Sequence, residues 1–557
     1  MPLRYHEVLE QLTGEGGPFE LVVENVRGLP MRNFKHRERS IREKIANSAG
    51  RGDTCFLVYG DRRITYAQHA RLVWGTARNL ERKYGAKRGD RIAVLAMNSP
   101  EWLISVFGAT SLGAIGVPLN GWWQTEELAY GLNDSGSRYL VVDDKLYPRV
   151  EAVLRDATAL ETVFYVGKSA PRGTVPIEEL IAEHDEIPAH PIDEDDPFVI
   201  LYTSGTTGRS KGCITTHRGT ITQVLGIIFA GVASSMMGGG NIVPTEGQPT
   251  TLATSPLFHV GGFHSGVCTS ITAGVKIVML EGKFDPDRVM ALIAREQVTM
   301  WPAIPTMLHR VVHSPNVHEY DLSSLRSVSF GGAPTPPETI DKALEVLRIE
   351  PSFTNVYGLT ETHGVATANA GKDLLGRKAS AGRPSPTMDC KIVDEAGNTV
   401  RPGALGEILF YGPIVTPGYW NRPDATAEAI RDGWLHTGDV GYFDEEGFLY
   451  VVDRAKDMIL RGGENVYCVE IENVLADHPA IDEAAVIGVA DAELGERVKA
   501  VVRLAPGSSI SEQEIRAHVA SRLARFKVPE LISFTDDPLP RNPAGKLMKN
   551  DLRKSFS

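Results

Sequence analysis

Short apolar runs separated by amphipathic stretches fill most of residues 1–454. The run Arg91–Ala96 is predicted to be a buried strand. Ser99 then supplies an N-cap, and the helix that follows is predicted to continue through Leu112. A second strand is predicted at Ala114–Leu119, and this strand–helix–strand order is typical of parallel α/β layers. The same pattern predicts further buried strands at Tyr139–Val142, Phe198–Tyr202 and Val275–Leu280.

The pattern changes near residue 455. A short helix at Val469–Ala476 is followed by strands at Ala484–Val489 and Val498–Leu504, and a last helix opens at Ser511 with the capping box Ser511-x-x-Glu514. We therefore expect an α/β protein with a large N-terminal domain of layered α/β subdomains, residues 1–454. A small mobile C-terminal α+β domain, residues 455–557, should follow it.

Length, charge and cysteine content narrow the class of protein. A chain of 557 residues exceeds what one hydrophobic core usually serves. The net charge of -12 argues against a nucleic-acid-binding surface. The five cysteines are scattered, with no CxxC pair, which indicates reduced thiols in a cytoplasmic protein. The most apolar stretch, Leu225–Met237, falls short of the roughly 20 residues of a spanning helix, so we expect no transmembrane segment.

A loop rich in glycine and threonine follows the predicted strand at Phe198–Tyr202. Its sequence, YTSGTTGRSKG at Tyr202–Gly212, combines a bendable backbone, hydroxyl groups and one lysine, which suits a polyphosphate. A Walker A loop has Gly directly before Lys-Ser/Thr, whereas Arg209-Ser210 stands before Lys211 here. An ordinary phosphate-loop NTPase is therefore disfavoured, and an ordinary surface loop is the other reading of these residues alone.

This loop resembles the phosphate-binding signature of the adenylate-forming superfamily, and further motifs of that superfamily follow in its order. They are FGGAP at Phe330–Pro334, YGLTET at Tyr357–Thr362, HTGD at His436–Asp439, DRAKDMILRGGENV at Asp453–Val466 and PRNPAGK at Pro540–Lys546. Within the superfamily the chain resembles the fatty acid:CoA ligases. The resemblance implies ATP, Mg²⁺ and coenzyme A as cofactor and co-substrates.

The resemblance also implies a role for each matching residue. Tyr357 would pack on adenine, Asp439 and Arg454 would bind the ribose, and Thr207 and Glu361 would hold Mg²⁺. The ATP and AMP contacts would come from Thr203, Ser204, Gly205, Thr206, Thr207, Gly208, Lys211, Gly331, Gly332, Ala333, Pro334, Tyr357, Gly358, Thr360, Asp439, Arg454 and Lys546. We assign His436 a structural role rather than that of a general base, because a carboxylate substrate is already ionised at pH 7.

Catalysis is assigned by the same resemblance to Lys546, Thr360 and Glu361. The small domain would rotate about Lys456 between two half-reactions, withdrawing Lys546. This rotation would bring Arg461, Gly462 and Gly463 to the coenzyme A tunnel. Cys468 stands where relatives often have proline, and a role as covalent acyl carrier is disfavoured.

The segment Pro256–His264 resembles the part of the superfamily that lines the acyl pocket, which implies acyl contacts for His259 and Phe263. The surrounding residues are apolar or small, and no aspartate is present to hold an amino group. We therefore expect a medium- or long-chain fatty acid. Two alternatives with the same chemistry stay open: an aryl-CoA ligase and an acyl-AMP ligase that loads a carrier protein. Two from other classes also stay open: a phosphate-loop NTPase and a nucleotide-binding module without catalysis. Homodimer formation and peripheral membrane contact are also considered.

Overall fold

The computed structural model describes residues 3–203, 209–238, 247–333, 335–349, 352–454, 457–461, 464–491, 494–542 and 545–556. Elements are numbered along the chain. The α-helices are α1 (Tyr5–Thr13), α2 (Ile41–Ala49), α3 (Tyr66–Tyr84), α4 (Pro100–Ser111), α5 (Thr125–Ser135), α6 (Tyr147–Glu151), α7 (His217–Met236), α8 (Thr269–Ala273), α9 (Pro286–Glu296), α10 (Pro305–Val312), α11 (Pro337–Leu347), α12 (Gly371–Gly376), α13 (Pro423–Ala429), α14 (Cys468–Ala476), α15 (Glu512–Ala520) and α16 (Lys549–Phe556).

Two large sheets form the centre of the N-terminal part. The first has the order β11-β10-β6-β5-β7-β8-β9 and is parallel except for the β10–β11 hairpin. Its strands are β5 (Arg91–Leu95), β6 (Ile115–Pro118), β7 (Tyr139–Asp143), β8 (Thr162–Val166), β9 (Val175–Pro176), β10 (Pro197–Thr203) and β11 (Lys211–Thr216).

The second large sheet has the order β18-β17-β16-β15-β14-β12-β13-β3-β4, and its run from β3 to β16 is parallel. Its strands are β3 (Cys55–Tyr59), β4 (Arg62–Thr65), β12 (Thr250–Ala253), β13 (Lys276–Met279), β14 (Met300–Ala303), β15 (Ser327–Gly331), β16 (Phe353–Leu359), β17 (Gly364–Ala370) and β18 (Arg383–Pro384). One buried cluster joins Phe56 of β3, Tyr66 of α3, Phe107 of α4 and Val94 of β5, so a helical layer fills the space between the two sheets.

Smaller sheets complete the molecule. The N-terminal hairpin is β1 (Leu21–Val26) and β2 (Leu29–Phe34). An antiparallel sheet then contains β19 (Asp389–Val393), β20 (Gly406–Tyr411), β21 (Ile430–Arg431), β22 (Trp434–Phe443) and β23 (Leu449–Arg454). The last sheet contains β24 (Ile459–Arg461), β25 (Glu464–Val466), β26 (Ile481–Asp491), β27 (Gly495–Leu504) and β28 (Leu531–Phe534). Single-turn and irregular helices occur at Ile177–Glu179, Gly261–Cys268, Val317–Glu319, Thr360–Thr362 and Arg525–Lys527.

The predicted elements are confirmed to within a few residues. The Ser99 hydroxyl accepts a hydrogen bond from Trp102 N at the start of α4, and Ser511 caps α15 in the same way through Glu514 N. A large α/β part followed by a smaller α+β part is therefore the observed architecture. The predicted boundary after residue 454 falls between β23, which belongs to the sheet that carries Asp439, and β24 of the last sheet. Its placement stays a prediction.

The prediction for the apolar stretch Leu225–Met237 needs a correction. The helix α7 begins earlier, at His217, because Thr216 caps it by accepting a hydrogen bond from Gly219 N. Its 20 residues make it, within the part of the chain that the structure describes, the one helix long and apolar enough to cross a membrane by length and composition. The core helix of a globular protein passes the same test, and 56% of its apolar window is buried.

Candidate functional site

The glycine- and threonine-rich loop lies at the turn of the β10–β11 hairpin. Thr203 and Lys211 are paired across the two strands, so the loop leaves and re-enters the sheet at neighbouring positions. The predicted contacts Ser204, Gly205, Thr206, Thr207 and Gly208 lie outside the described residues. The ammonium of Lys211 is 5.2 Å from the centre of the Tyr419 ring, a cation–π arrangement that ties the loop to a distant segment.

Glu361 lies in the short turn Thr360–Thr362 directly after β16. The Tyr419 hydroxyl donates a hydrogen bond of 2.7 Å to Glu361 Oε1, and Thr416 N donates to the Glu361 carbonyl at 2.7 Å. Burial, followed by the charge of Glu361, raises the pKa of Tyr419, so this tyrosine stays a donor. A carboxylate offers roughly four acceptor positions, and one bond to Tyr419 therefore leaves capacity for Mg²⁺. A carboxylate oxygen is a ligand type that fits Mg²⁺.

His363 anchors the same turn from its other side. Its backbone has φ 55, a left-handed conformation that is uncommon outside glycine. The imidazole Nε2 accepts a hydrogen bond from Thr216 N at 2.8 Å, and Nδ1 lies 2.7 Å from the Ile414 carbonyl. Burial holds the pKa of His363 well below its usual range, so the ring is neutral and its proton lies on Nδ1. His363 thereby fixes Thr360 and Glu361 relative to the β10–β11 hairpin.

Asp439 and Arg454 face each other across β22 and β23. The Arg454 Nε is 3.1 Å from Asp439 Oδ1, and the Tyr357 hydroxyl donates to Asp439 Oδ2 at 2.6 Å. Asp439 is only 4% exposed, so this carboxylate depends on the two partners for its hydrogen bonds. The structure thus brings together the three residues predicted for the nucleoside. His436 lies nearby with its Nδ1 2.8 Å from Glu407 Oε2, an arrangement that supports a structural role.

The predicted adenine-facing segment is the end of β15. A Cβ on Gly331 would come within 2.3 Å of the Val356 carbonyl, so only glycine fits between β15 and β16. Gly332 has φ +81 and open space around its Cα, and Ala333 follows it. A flat purine can lie against such a backbone. At Gly358 a Cβ would collide with the Gly364 carbonyl at 1.8 Å, and Pro334 lies outside the described residues.

Lys546 approaches the large domain through its neighbour Gly545. A Cβ on Gly545 would lie 2.5 Å from Ile304 Cγ2 and 3.0 Å from Thr306 Oγ1. Ile304 directly follows β14, and Thr306 lies in the first turn of α10. Strand β14 is next in the sheet to β15, which carries the Gly331 segment. The structure therefore places the backbone beside Lys546 at the carboxyl end of the central strands, where ligands of parallel sheets bind.

The predicted acyl contacts occupy two different environments. His259 Nε2 is buried and has no hydrogen-bond partner among the described residues, and burial lowers the pKa of His259 to about 4. Phe263 is fully buried and packs edge-on to Trp102, with ring centres 5.0 Å apart, and stacks on Phe198 at 5.7 Å. Its ring is therefore part of the core between the sheets, and its contact with the acid stays a prediction. A cavity of about 20 Å³ lies beside the helix Gly261–Cys268, lined by Ala253, Thr254, Gly262, Gly266, Val267 and Pro302 among others.

The residues predicted for the hinge and for coenzyme A lie mostly outside the described ranges. Lys456, Gly462 and Gly463 lie outside the described residues. Arg461 ends β24 and forms an ion pair with Glu530 within the small domain. Cys468 is buried, and its thiol donates to the Asp457 carbonyl at 3.0 Å.

Tyr419, Thr416 and His363 were not predicted from the sequence. Tyr419 is 58 residues from Glu361, and His363 is 147 residues from Thr216, so no local spacing pattern connects them. The available signals were a tyrosine after the glycine at position 418 and a histidine directly after the YGLTET motif.

Comparison with known proteins agrees with this geometry. The model of the family "AMP-binding enzyme" matches residues 45–420, and that of "AMP-binding enzyme C-terminal domain" matches residues 470–546. A feruloyl-CoA synthase of Amycolatopsis sp is 37% identical over 89% of this chain and 95% of its own length. The long-chain-fatty-acid–CoA ligase FadD13 of Mycobacterium tuberculosis is 35% identical over 89% of this chain and 94% of its own length.

A solved structure shows the same architecture. The anthranilate CoA ligase AuaEII, in complex with anthranoyl-AMP, superposes with a TM-score of 0.84 and is 26% identical. The match covers 93% of this chain and 97% of that one. These matches show that the chain belongs to the AMP-binding enzyme family, as an adenylate-forming acid:CoA ligase that uses ATP, Mg²⁺ and coenzyme A.

Proposed function

We propose that this chain activates a hydrophobic carboxylic acid, with a medium- or long-chain fatty acid as first choice, and transfers its acyl group to coenzyme A. The supporting observation is the contact of Gly545 with Ile304, which sets the Lys546 loop beside an apolar strand end. Trp301, Ala303 and Ile304 are 0%, 5% and 8% exposed. An acid whose carboxylate meets Lys546 would therefore extend its tail along apolar residues.

In the first half-reaction a carboxylate oxygen attacks the α-phosphorus of ATP, the bond to the bridging oxygen breaks, and pyrophosphate leaves. Asp439, Arg454 and Tyr357 hold the nucleoside. Glu361, which Tyr419 orients, would hold Mg²⁺, and that ion would supply positive charge next to the phosphates. Lys546 supplies positive charge where negative charge accumulates in the transition state. His259, neutral at pH 7 because of its burial, can donate a hydrogen bond to the substrate carboxylate.

In the second half-reaction the sulfur of coenzyme A attacks the acyl carbon, the bond between that carbon and the AMP oxygen breaks, and the thiol proton leaves to solvent. We assign to this step a rotation of residues 455–557 about Lys456. The rotation would remove Lys546 from the site and bring Arg461, Gly462 and Gly463 near the thiol.

An aromatic acid is the second candidate. A relative supports this candidate, because the feruloyl-CoA synthase acts on an aromatic acid by its name. We further infer a cytoplasmic location from the reduced thiols. We also propose that the protein forms a homodimer, which light scattering would test. Peripheral membrane contact is proposed as well, and vesicle flotation would test it.

A panel of acids with pyrophosphate release as the readout tests this proposal. Octanoate, palmitate and ferulate are compared with and without coenzyme A, and AMP and acyl-CoA are quantified. We expect AMP, pyrophosphate and acyl-CoA, with palmitate or octanoate turned over faster than ferulate. A preference for ferulate would establish the aryl reading. If acyl-adenylate forms but no acyl-CoA follows, the assignment as an acid:CoA ligase is refuted. If the products are ADP and phosphate, adenylation itself is refuted.

A further inference from the structure

The loop that carries Lys546 is held in shape by Asn542. The amide of Asn542 donates to the Lys546 carbonyl at 2.8 Å, and the Lys546 amide donates to Asn542 Oδ1 at 2.9 Å. Arg541 and Leu547 face each other as an antiparallel bridge. The backbone on both sides of Lys546 is therefore fixed relative to residues 541 and 542.

Arg541 connects this loop to the sheet of the small domain. Its Nη1 donates to the Gly545 carbonyl at 2.9 Å, while Nε and Nη2 donate to Glu483 Oε1 at 3.2 and 3.1 Å. Glu483 lies in the long strand β26. Its second oxygen accepts from Leu539 N at 3.1 Å, so one carboxylate holds both the guanidinium and the chain that leads into the loop.

The carbonyl that Arg541 binds is that of Gly545, the residue in contact with Ile304 and Thr306 of the large domain. Gly545 also has φ +78, a conformation that side chains rarely adopt. The peptide between Gly545 and Lys546 is thus fixed by Arg541 from within the small domain and abuts the large domain. A shift of this peptide would move the Lys546 side chain relative to the end of β14.

We propose that Glu483 and Arg541 form a clamp that positions Lys546 for the adenylation half-reaction and that the transfer half-reaction does not need. The clamp rests on the proposed role of Lys546. Arg541 is a positioning residue, since its described bonds go to Gly545 and Glu483. Removing it should impair only the step that uses Lys546, whereas a general loss of folding would impair both steps.

The test compares two arginines that share one carboxylate. Arg541→Gln removes the bond to the Gly545 carbonyl. Arg503→Gln is the matched control, because Arg503 in β27 has its Nε 3.1 Å from Glu483 Oε2 but lies outside the 541–547 loop. Pyrophosphate release from ATP and acid measures adenylation. Thioester formation from pre-formed acyl-adenylate and coenzyme A measures transfer, and thermal unfolding reports on the fold.

For Arg541→Gln we expect adenylation to fall by about ten- to a hundredfold, the scale of a misplaced catalytic group, with transfer within about twofold of wild type. Arg503→Gln should retain both rates. Arg541→Lys, which keeps the charge but not the paired geometry, should adenylate at an intermediate rate. The clamp is refuted if Arg541→Gln adenylates normally, or if both half-reactions fall together.

If Arg541→Gln does not fold, the same two half-reactions are measured in Glu483→Gln instead. That substitution keeps an acceptor for Leu539 N while weakening the bonds to Arg541, and the same split between half-reactions is expected. Lys546→Ala, measured beside it, separates the two proposals. If Lys546→Ala adenylates normally, the proposed role of that lysine is refuted. If Lys546→Ala loses adenylation while both clamp variants adenylate normally, only the clamp is refuted.

Discussion

The hydroxyl of Tyr419 donates a 2.7 Å hydrogen bond to the carboxylate of Glu361. The same tyrosine ring lies 5.2 Å from the ammonium of Lys211 at the end of the phosphate loop. One aromatic side chain therefore links the residue that we assign to Mg²⁺ with the residue that we assign to the phosphates.

Tyr419→Phe should weaken the magnesium site without removing the ring that Lys211 contacts. A hydrogen bond to a charged group contributes about 1.5–3 kcal/mol, so we expect the rate of pyrophosphate release at limiting Mg²⁺ to fall by about tenfold or more. Excess Mg²⁺ should restore part of it. Tyr411→Phe is the control, because that hydroxyl donates to the exposed Pro30 carbonyl at 2.8 Å. Equal magnesium dependence in both variants would contradict the assignment.

Asp439→Asn should raise the KM for ATP. The substitution removes the charge that pairs with Arg454 at 3.1 Å, in a position only 4% exposed, and leaves the guanidinium without its carboxylate. We expect a rise of about ten- to a hundredfold, measured by pyrophosphate release over a range of ATP concentrations. Asp373→Asn, which breaks the 3.0 Å pair with Arg383 outside the site, should leave this KM unchanged. An unchanged KM for ATP in Asp439→Asn would show that this carboxylate does not bind the ribose.

Cys468 should be chemically inert in the native enzyme. Burial raises the pKa of its thiol, so the reactive thiolate is scarce at pH 7.5. Treatment with iodoacetamide should leave Cys468 unmodified in peptide mass spectra until urea is added. Cys468→Ala should still form acyl-CoA. An acyl adduct on Cys468 during turnover would contradict this prediction and support a role for Cys468 as a covalent acyl carrier.

His69 should make the folded state sensitive to acid. It is fully buried between Phe56 and Phe107, and burial lowers its pKa to about 3. The unfolded chain, with a histidine pKa of about 6.5, binds the proton first, so stability falls as pH drops from about 6.5 toward 3. Between pH 6.5 and 5 this one group accounts for about 2 kcal/mol.

His69→Leu should therefore lose less stability on acidification than wild type. The measurement is the urea midpoint at pH 7 and at pH 5. The exposed His36→Leu serves as control, since its side chain is 65% exposed. If His69→Leu and wild type lose stability equally over this range, the buried neutral histidine is not responsible.

Local sequence signals were sufficient for most of the fold. The alternation of apolar runs gave β5 and β6, and Ser99 and Ser511 began their helices where side-chain capping predicts. The length predicted for the apolar segment at α7 was too short, because glycine and polar residues interrupt the apolar stretch. Thr216 caps this helix further upstream, and buried packing tolerates those residues.

The candidate site was predicted only where a motif is contiguous. Asp439 and Arg454 were both assigned to the ribose, and the β22–β23 register explains why they meet. Tyr419, His363 and the Glu483–Arg541 clamp depend on contacts between segments 58 to 147 residues apart. Such contacts follow from sheet order and domain docking, which local periodicity does not encode.

The central claim is that one lysine from the small domain serves only the first of two half-reactions. Its most direct test measures both half-reactions of Lys546→Ala on the same preparation. We predict that pyrophosphate release from ATP and acid falls by about a hundredfold or more. Acyl-CoA formation from pre-formed acyl-adenylate should stay within about twofold of wild type. Adenylation at the wild-type rate, or equal loss of both steps in a folded variant, would contradict the account.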